Sequence, residues 1–346
     1  MIDTTRLSGR LHAFVDDHST WGGAAALVAF LSRSPLRPAT SVPAIRAAVA
    51  PGRRALVSVV IPCYNYGHFL RAAVASALNQ PGVDVQVIIV NDKSPDDTAA
   101  IADELASSDA RVEVVHNEVN LGHVASFNRG LERVTGEFLV RLDADDLLTS
   151  GSLARAVALF DSFDTVGLVY GNPRHFTTPE PPNGRVGRVS WSVWSGPEWL
   201  AERCRQGVNC ITTPEAILRM SVVDQVGPLD TRLRFAQDME MWCRVAAVSD
   251  VARINGADQA LHRDHAASMS ANEGSPFEID LAERRLVFDL VFSGIGAALP
   301  NAGRLRALAQ ESLDREARQH GSPRIQRIAC RVGNELAYVR WSVSGI

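Results

Sequence analysis

The feature that most limits what this chain can fold into is an alternation between residues 56 and 170. Short runs rich in valine and isoleucine, LVSVVI at 56–61, VQVIIV at 85–90, VEVVH at 112–116, EFLVRL at 137–142 and VGLVY at 166–170, are separated by helical spacing at 69–78, 98–106 and 125–134. Unbroken apolar runs of that length suit strands buried on both faces, and strands joined through helices run parallel. The expected fold class is therefore α/β, a Rossmann-like, mostly parallel sheet with helices on both faces.

The 346 residues allow more than this one layer, since a domain takes roughly 100–200 residues. Residues 1–52, with Pro35, Pro38, Pro43 and Pro51, read as a helical extension and linker. Beyond Pro173 the pattern turns irregular, with PEPPNG at 179–184 as a turn and Trp191, Trp194 and Trp199 after it. These tryptophans suit either a binding rim or the cap of a small subdomain core. After Ser270 three helical stripes follow: Ile279, Leu286, Val287, Leu290 and Val291; Leu305, Leu308, Ala309 and Leu313; and Ile325 to Val339. The expected division is 1–52, a main domain over 53–270 with halves 53–172 and 173–270, and a C-terminal helical region over 271–346.

Composition excludes several classes. A net charge of −4 with 46% hydrophobic residues argues against both disorder and charge-driven nucleic-acid binding. Cys63, Cys204, Cys210, Cys243 and Cys330 form no CxxC pair, so neither a zinc knuckle nor a disulfide framework is expected, and a reducing cytoplasm fits. Ala24–Leu31 is too short to span a bilayer and has no basic flank of the signal-peptide kind. Lys93 is the sole lysine and no GxxxxGK[ST] or GxGxxG occurs, which removes P-loop kinases and NAD enzymes. A sugar nucleotidyltransferase would want a Gly-rich loop after the first strand, and none follows residues 57–61.

Three segments carry chemistry. In RLDADD at 141–146 an apolar strand runs into Asp143, Asp145 and Asp146, and carboxylates at the carboxyl end of a parallel strand face the crevice where such sheets bind ligands. Clustered carboxylates there suit Mg²⁺ or Mn²⁺ bridging a diphosphate, though an Asp-x-Asp also serves as a turn or cap. At IPCYN (61–65) and VNDKSPDDT (90–98), Asp92 can accept from a base or ribose and Tyr64 offers a face to a nucleobase. Equally, Pro62 and Asn65 shape a turn and Ser94 or Asp96 caps a helix. NLGHVASFNRG at 120–130 enters a helix through Gly122, ordering a loop beneath a phosphate or making a plain turn.

Taken in order, VSVVIPCYN, VIIVNDKSPDDT, the NLG segment with Asn128 and Gly130, and GEFLVRLDADD resemble the inverting family 2 glycosyltransferases of the GT-A fold. The resemblance continues through residues 209–246 to HRDHAASMS at 262–270, and covers 56–270. It implies a metal-dependent enzyme moving sugar from a UDP-, GDP- or dTDP-sugar to a saccharide or lipid-linked acceptor, in cell-envelope or extracellular polysaccharide or glycolipid assembly. The implied donor-binding set is Pro62, Tyr64, Asn65, Asp92, Asn120, Gly122, Asn128, Arg141, Asp143 and Ala144. Asp145 and His265 would hold Mg²⁺ or Mn²⁺, with His262 a competitor to His265. Asp238 would be the catalytic base, and the acceptor side would comprise Gln237, Trp242, Trp191 and Trp194. Gln237 stands where the family commonly has Glu, and Asn91 where it is usually acidic. The alternatives are a catalytically impaired sugar-nucleotide binder or scaffold on the same fold, and a sugar nucleotidyltransferase. No nucleic-acid partner is expected. The expected location is cytoplasmic; a peripheral place at the inner membrane face and a homo-oligomer through the C-terminal helices stay open.

Overall fold

The structure, a computed structural model, describes residues 40–43, 54–266 and 277–320. It is built on one mixed sheet. A first strand, β1 (Thr40–Pro43), falls inside the stretch read as linker and pairs antiparallel with β8 (Val186–Trp194) at the sheet edge. A four-residue run with a terminal proline carries no alternation long enough to announce a strand, which is why the sequence reading missed it.

The first half follows the sequence pattern closely. β2 (Leu56–Cys63), β3 (Asp84–Asn91), β4 (Val112–His116) and β5 (Phe138–Arg141) run parallel in the order β5-β2-β3-β4. The crossovers are α1 (Gly67–Leu78), α2 (Thr98–Ser108) and α3 (His123–Leu131). Along β2 the side chains alternate between two apolar layers: Val57, Val59 and Ile61 face one, Val60 the other. Gly130 lets α3 lie close on the sheet, because a Cβ there would meet Val60 Cγ1 at 2.4 Å. That close approach accounts for the glycine in NLGHVASFNRG.

The second half departs from a mostly parallel arrangement. The complete order is β1-β8-β10-β7-β9-β5-β2-β3-β4, where β7 is Val166–Phe176, β9 Ile217–Arg219 and β10 Asp250–Arg263. β7 and β10 pair parallel, but β9 is antiparallel to both β5 and β7, β8 is antiparallel to β10, and β6 (Leu147–Leu148) is antiparallel to β10. Strands β8 to β10 lack long Val/Ile runs, so periodicity could not find them. Helices α4 (Ser152–Ser162), α5 (Gly196–Gln206), α6 (Met220–Val226) and α7 (Gln237–Val248) complete this half.

The first two C-terminal stripes are α8 (Phe277–Ser293) and α9 (Ala302–His320); the third lies outside the described residues. Val287, Phe288, Val291, Leu305 and Leu313 are buried in the same apolar layer as α5 and α7. Arg284 fastens the pair, donating to both Glu316 oxygens at 2.7 and 2.9 Å and to the Gly207 carbonyl at 2.8 Å. These residues of α8 and α9 are thus covered within the chain. Among the described residues no helix is long and apolar enough to cross a membrane.

Candidate active site

The carboxyl ends of β2, β3 and β5 lie side by side, and the candidate residues emerge there. In the register Val60 stands opposite Arg141 and Cys63 opposite Asn91, so the chain leaves β5 into Asp143 beside the turn at Tyr64 and Asn65. Asn65 holds a left-handed backbone, φ 60°, and its N–H donates to Ser94 Oγ at 3.1 Å, tying the two strand-end turns together. Tyr64 is half exposed at 49%, available to a ligand face, while Pro62 is buried within β2.

Asp145 and His265 meet. Their Oδ2 and Nε2 atoms are 3.0 Å apart, although 120 residues separate them in sequence. The rings of Tyr66 and Phe69 each sit 5.5 Å from the His265 ring, walling it in. Burial, then the carboxylates of Asp145, Asp143 and Asp146, push the Tyr66 phenol up to about 12, so it stays protonated. One carboxylate oxygen and one imidazole nitrogen facing each other suit a divalent cation of the Mg²⁺ or Mn²⁺ kind. His262 is not the partner of Asp145: its Nδ1 lies 2.9 Å from Oδ2 of the fully buried Asp146.

Arg263 gathers the acidic turn. Its N–H donates to Asp146 Oδ1 at 2.9 Å and its Nε to the Asp145 carbonyl at 3.2 Å, while its guanidinium lies over the Phe69 and Phe176 rings at 4.7 and 4.5 Å. Tyr66, Phe69 and Arg263 were not singled out from sequence as site residues. Only the place of Arg263 in the HRDH segment pointed toward it.

Arg141, buried at the end of β5, donates from Nη2 to Asp143 Oδ1 at 3.1 Å, and its Nε and Nη1 have no partner. The backbone of Ala144 carries the turn between the two carboxylates, and its side chain is buried. Asp238 sits one residue into α7; its Oδ2 accepts from Asn209 Nδ2 at 2.9 Å and its Oδ1 from the Met239 N–H at 2.6 Å. Burial pushes the Asp238 carboxyl up to about 6, with Asp143 adding to the rise and Met239, Arg141 and Asn209 opposing it. Both Arg141 and Asp143 are therefore within electrostatic reach of it. The segment entering α7 is anchored from elsewhere: Glu283 on α8 accepts from the N–H groups of Arg234, Phe235 and Ala236 at 3.0, 2.7 and 2.8 Å. A Glu 47 to 49 residues downstream leaves no sequence signal for that contact.

Five expectations need correction or narrowing. Asp92 is buried and its carboxylate is committed to the neighbouring loop, accepting from Asn117 Nδ2, the Leu121 N–H and the Gly122 N–H at 2.7, 2.7 and 2.8 Å. Asn120 Oδ1 also takes the Gly122 N–H, at 3.1 Å, and Gly122 itself has φ 82°, so this segment is a braced turn ahead of α3. Asn128 holds the Leu229 backbone at both amide ends, Nδ2 to O at 2.8 Å and Oδ1 from N at 3.0 Å, which occupies it away from any phosphate. Trp191, Trp194 and Trp242 are 3%, 5% and 4% exposed and lie in the apolar layers, so they cap the core and form no acceptor rim. Gln237 is likewise buried, but its Oε1 has no partner.

Comparison with known proteins agrees with this geometry. Residues 58–227 match the family described as Glycosyl transferase family 2. The UDP-Glc:alpha-D-GlcNAc-diphosphoundecaprenol beta-1,3-glucosyltransferase WfgD of Escherichia coli is 24% identical over 63% of this chain and 81% of its own length. Other relatives are matched over as little as 26% of their length. Among solved structures, S. aureus TarS 1–349 in complex with UDP-GlcNAc has a TM-score of 0.60 at 17% identity, covering 75% of this chain and 72% of that one. The mannosyltransferase PcManGT from Pyrobaculum calidifontis, in complex with GDP-Man and Mn²⁺, has a TM-score of 0.53 at 15% identity, covering 92% of this chain and 90% of that one. At such identities the two structures are likenesses of fold.

Proposed function

The chain belongs to glycosyl transferase family 2 through residues 58–227, and on that premise we propose that it moves a sugar from a nucleoside-diphosphate sugar to an acceptor hydroxyl with inversion at the anomeric carbon. The observation that carries this reading is the placing of Asp238. It is a carboxylate held up to about 6 by burial, beside Arg141 and Asp143 and on the same sheet edge as the Asp145–His265 pair. A base with that proton affinity is ionised at neutral pH yet more basic than an ordinary carboxylate, which favours accepting a proton from a hydroxyl.

The division of labour follows from position. Asp238 takes the acceptor proton as the acceptor oxygen attacks. Asn209 holds its Oδ2 in place. Tyr64 offers the half-exposed ring to the base, and Asp92 acts indirectly by bracing the Asn117–Gly122 loop beside the donor. The two unpartnered N–H-bearing nitrogens of Arg141 are donors available to the oxygens of the departing diphosphate. Asp145 and His265 would hold Mg²⁺ or Mn²⁺, which when bound offsets negative charge on the leaving group. Inversion follows the family resemblance: Asp238 is assigned as the one base, while the neighbouring Asp143 carboxylate is tied to Arg141 at 3.1 Å.

The acceptor class is proposed as a saccharide or lipid-linked saccharide, by likeness to WfgD, whose name specifies a diphosphoundecaprenol acceptor. A peripheral place at the inner membrane face fits such an acceptor. Asp238→Asn should leave nucleotide binding unchanged and lower kcat by roughly 10²–10⁴. Near-normal turnover in Asp238→Asn would show that the base lies elsewhere. Nucleotide binding without turnover in the unaltered protein against any acceptor would favour the impaired-binder reading.

A further inference from the structure

Beside the donor edge lies a second grouping, made by the pairing of β7 with β10. Their parallel register sets His262 directly opposite His175 and Arg263 opposite Phe176, so the two histidines share one face of the sheet. Their rings are 4.8 Å apart, centre to centre. Asp264, whose N–H donates to the Phe176 carbonyl at 2.9 Å, then brings its carboxylate back over them. Its Oδ2 is 3.2 Å from His175 Nδ1 and its Oδ1 is 3.8 Å from His262 Nε2. One ligating atom from each of the three lies within 4.8 Å of the others, and among the described residues no other trio of His, Cys, Asp or Glu does so.

From this arrangement we propose a divalent transition-metal site, Zn²⁺ in the first instance, held by His175, His262 and Asp264. Two features favour a metal over an ordinary hydrogen-bonded cluster. Asp146, fully buried, faces His262 Nδ1 at 2.9 Å. A carboxylate on the far nitrogen is how metal-binding imidazoles are fixed, with Nδ1–H donating outward and the Nε2 lone pair aimed at the ion. With Nδ1–H donated to Asp146, the Nε2 lone pair is aimed toward the Asp264 carboxylate, where a metal ion takes the place of the proton of the imidazolium. The spacing also fits, since metal–ligand bonds of about 2.0–2.1 Å set tetrahedral ligand atoms about 3.4 Å apart, close to the 3.2 and 3.8 Å found.

Two imidazoles and one carboxylate select zinc-like ions over Mg²⁺ or Ca²⁺, which prefer all-oxygen shells. The His262 and Asp264 side chains are 27% and 25% exposed, leaving a way in from solvent, whereas the His175 side chain, at 2%, forms the floor. The ion's competitor is a proton. Burial lowers the affinity of His262 for it, but Asp146, Asp264 and Asp145 outweigh burial and hold the imidazolium up to about 10. Bound there, the ion would clip the ends of β7 and β10 together and, through His262 and Asp146, steady the acidic turn.

The test is Zn²⁺ uptake by the metal-stripped full chain, without nucleotide, read by equilibrium dialysis and elemental analysis. The expected result is one Zn²⁺ per chain, kept by Asp145→Ala and lost in both His175→Ala and Asp264→Asn. Asp264→Asn changes a partly exposed side chain isosterically, so it decides the matter if His175→Ala does not fold. No uptake by the unaltered chain, uptake retained by Asp264→Asn, or uptake lost in Asp145→Ala overturns the proposal, the last by moving the ion to the donor edge. This reading is independent of the donor-site assignment, which is measured with nucleotide.

Discussion

At the scale of single residues, the site depends on what surrounds each carboxylate. Asp238 is raised to about 6 and Asp92 is saturated by backbone and amide donors, although both are aspartates at the ends of apolar segments. The first is poised to exchange a proton; the second is a brace. Because Asp238 must be ionised to act, kcat/KM should fall with slope one below pH about 6, and stay level above it until another group titrates. A flat profile down to pH 5 would contradict the assignment. The sign for stability runs the other way. A carboxyl whose folded pKa is raised favours the protonated fold, so its contribution is lost as pH rises through the folded pKa. Asp238→Asn should therefore raise Tm at pH 7.5 while lowering kcat, a trade of stability for function that thermal unfolding of the two proteins would reveal. Motif order brought out Asp238, Asp145 and His265 as candidates, and the fold sets Asp145 and His265 3.0 Å apart. The difference between Asp92 as ligand contact and Asp92 as brace was not, because both uses put an aspartate at a strand end.

At the scale of elements, β2 to β5 were readable because a strand buried on both faces has to be an unbroken apolar run. β8 and β10 carry Arg, Ser, Asn and Asp among their apolar residues, and only pairing with neighbours makes them strands. The same limit hid what anchors the entry to α7. The segment before it is held by Glu283 from α8, so the helix bearing Asp238 is oriented by a contact long-range in sequence. Glu283→Ala should destabilise the fold by about 1–3 kcal/mol, the range for leaving buried donors unsatisfied, and speed amide exchange at residues 234–236 first. Lower kcat with unchanged nucleotide affinity should accompany it. At Gly130, where an added Cβ would meet Val60 at 2.4 Å, Gly130→Ala should cost about 1–3 kcal/mol by overpacking, measurable by urea unfolding.

At the scale of the whole molecule, the parallel half and the mixed half do different things. The parallel strands bring Tyr64, Asp143 and Asp145 to one edge, while β10 and α7 carry His265, Arg263 and Asp238 to it from the other half. Helices α8 and α9 are part of this assembly, since Phe288, Val291, Leu305 and Leu313 complete the apolar layer under α7. Removing residues 277–346 should therefore abolish cooperative unfolding or yield insoluble protein; a soluble, active truncation would separate these helices from the catalytic domain. The central claim is a metal-dependent nucleotide site at Asp145 and His265, and calorimetric titration tests it most directly. UDP, GDP and dTDP would each be titrated, with and without Mn²⁺, into the unaltered chain and into Asp145→Ala. The account predicts that one nucleotide binds, that Mn²⁺ strengthens the binding, and that Asp145→Ala abolishes the metal dependence. Binding that is indifferent to Mn²⁺, or that Asp145→Ala leaves intact, would contradict it.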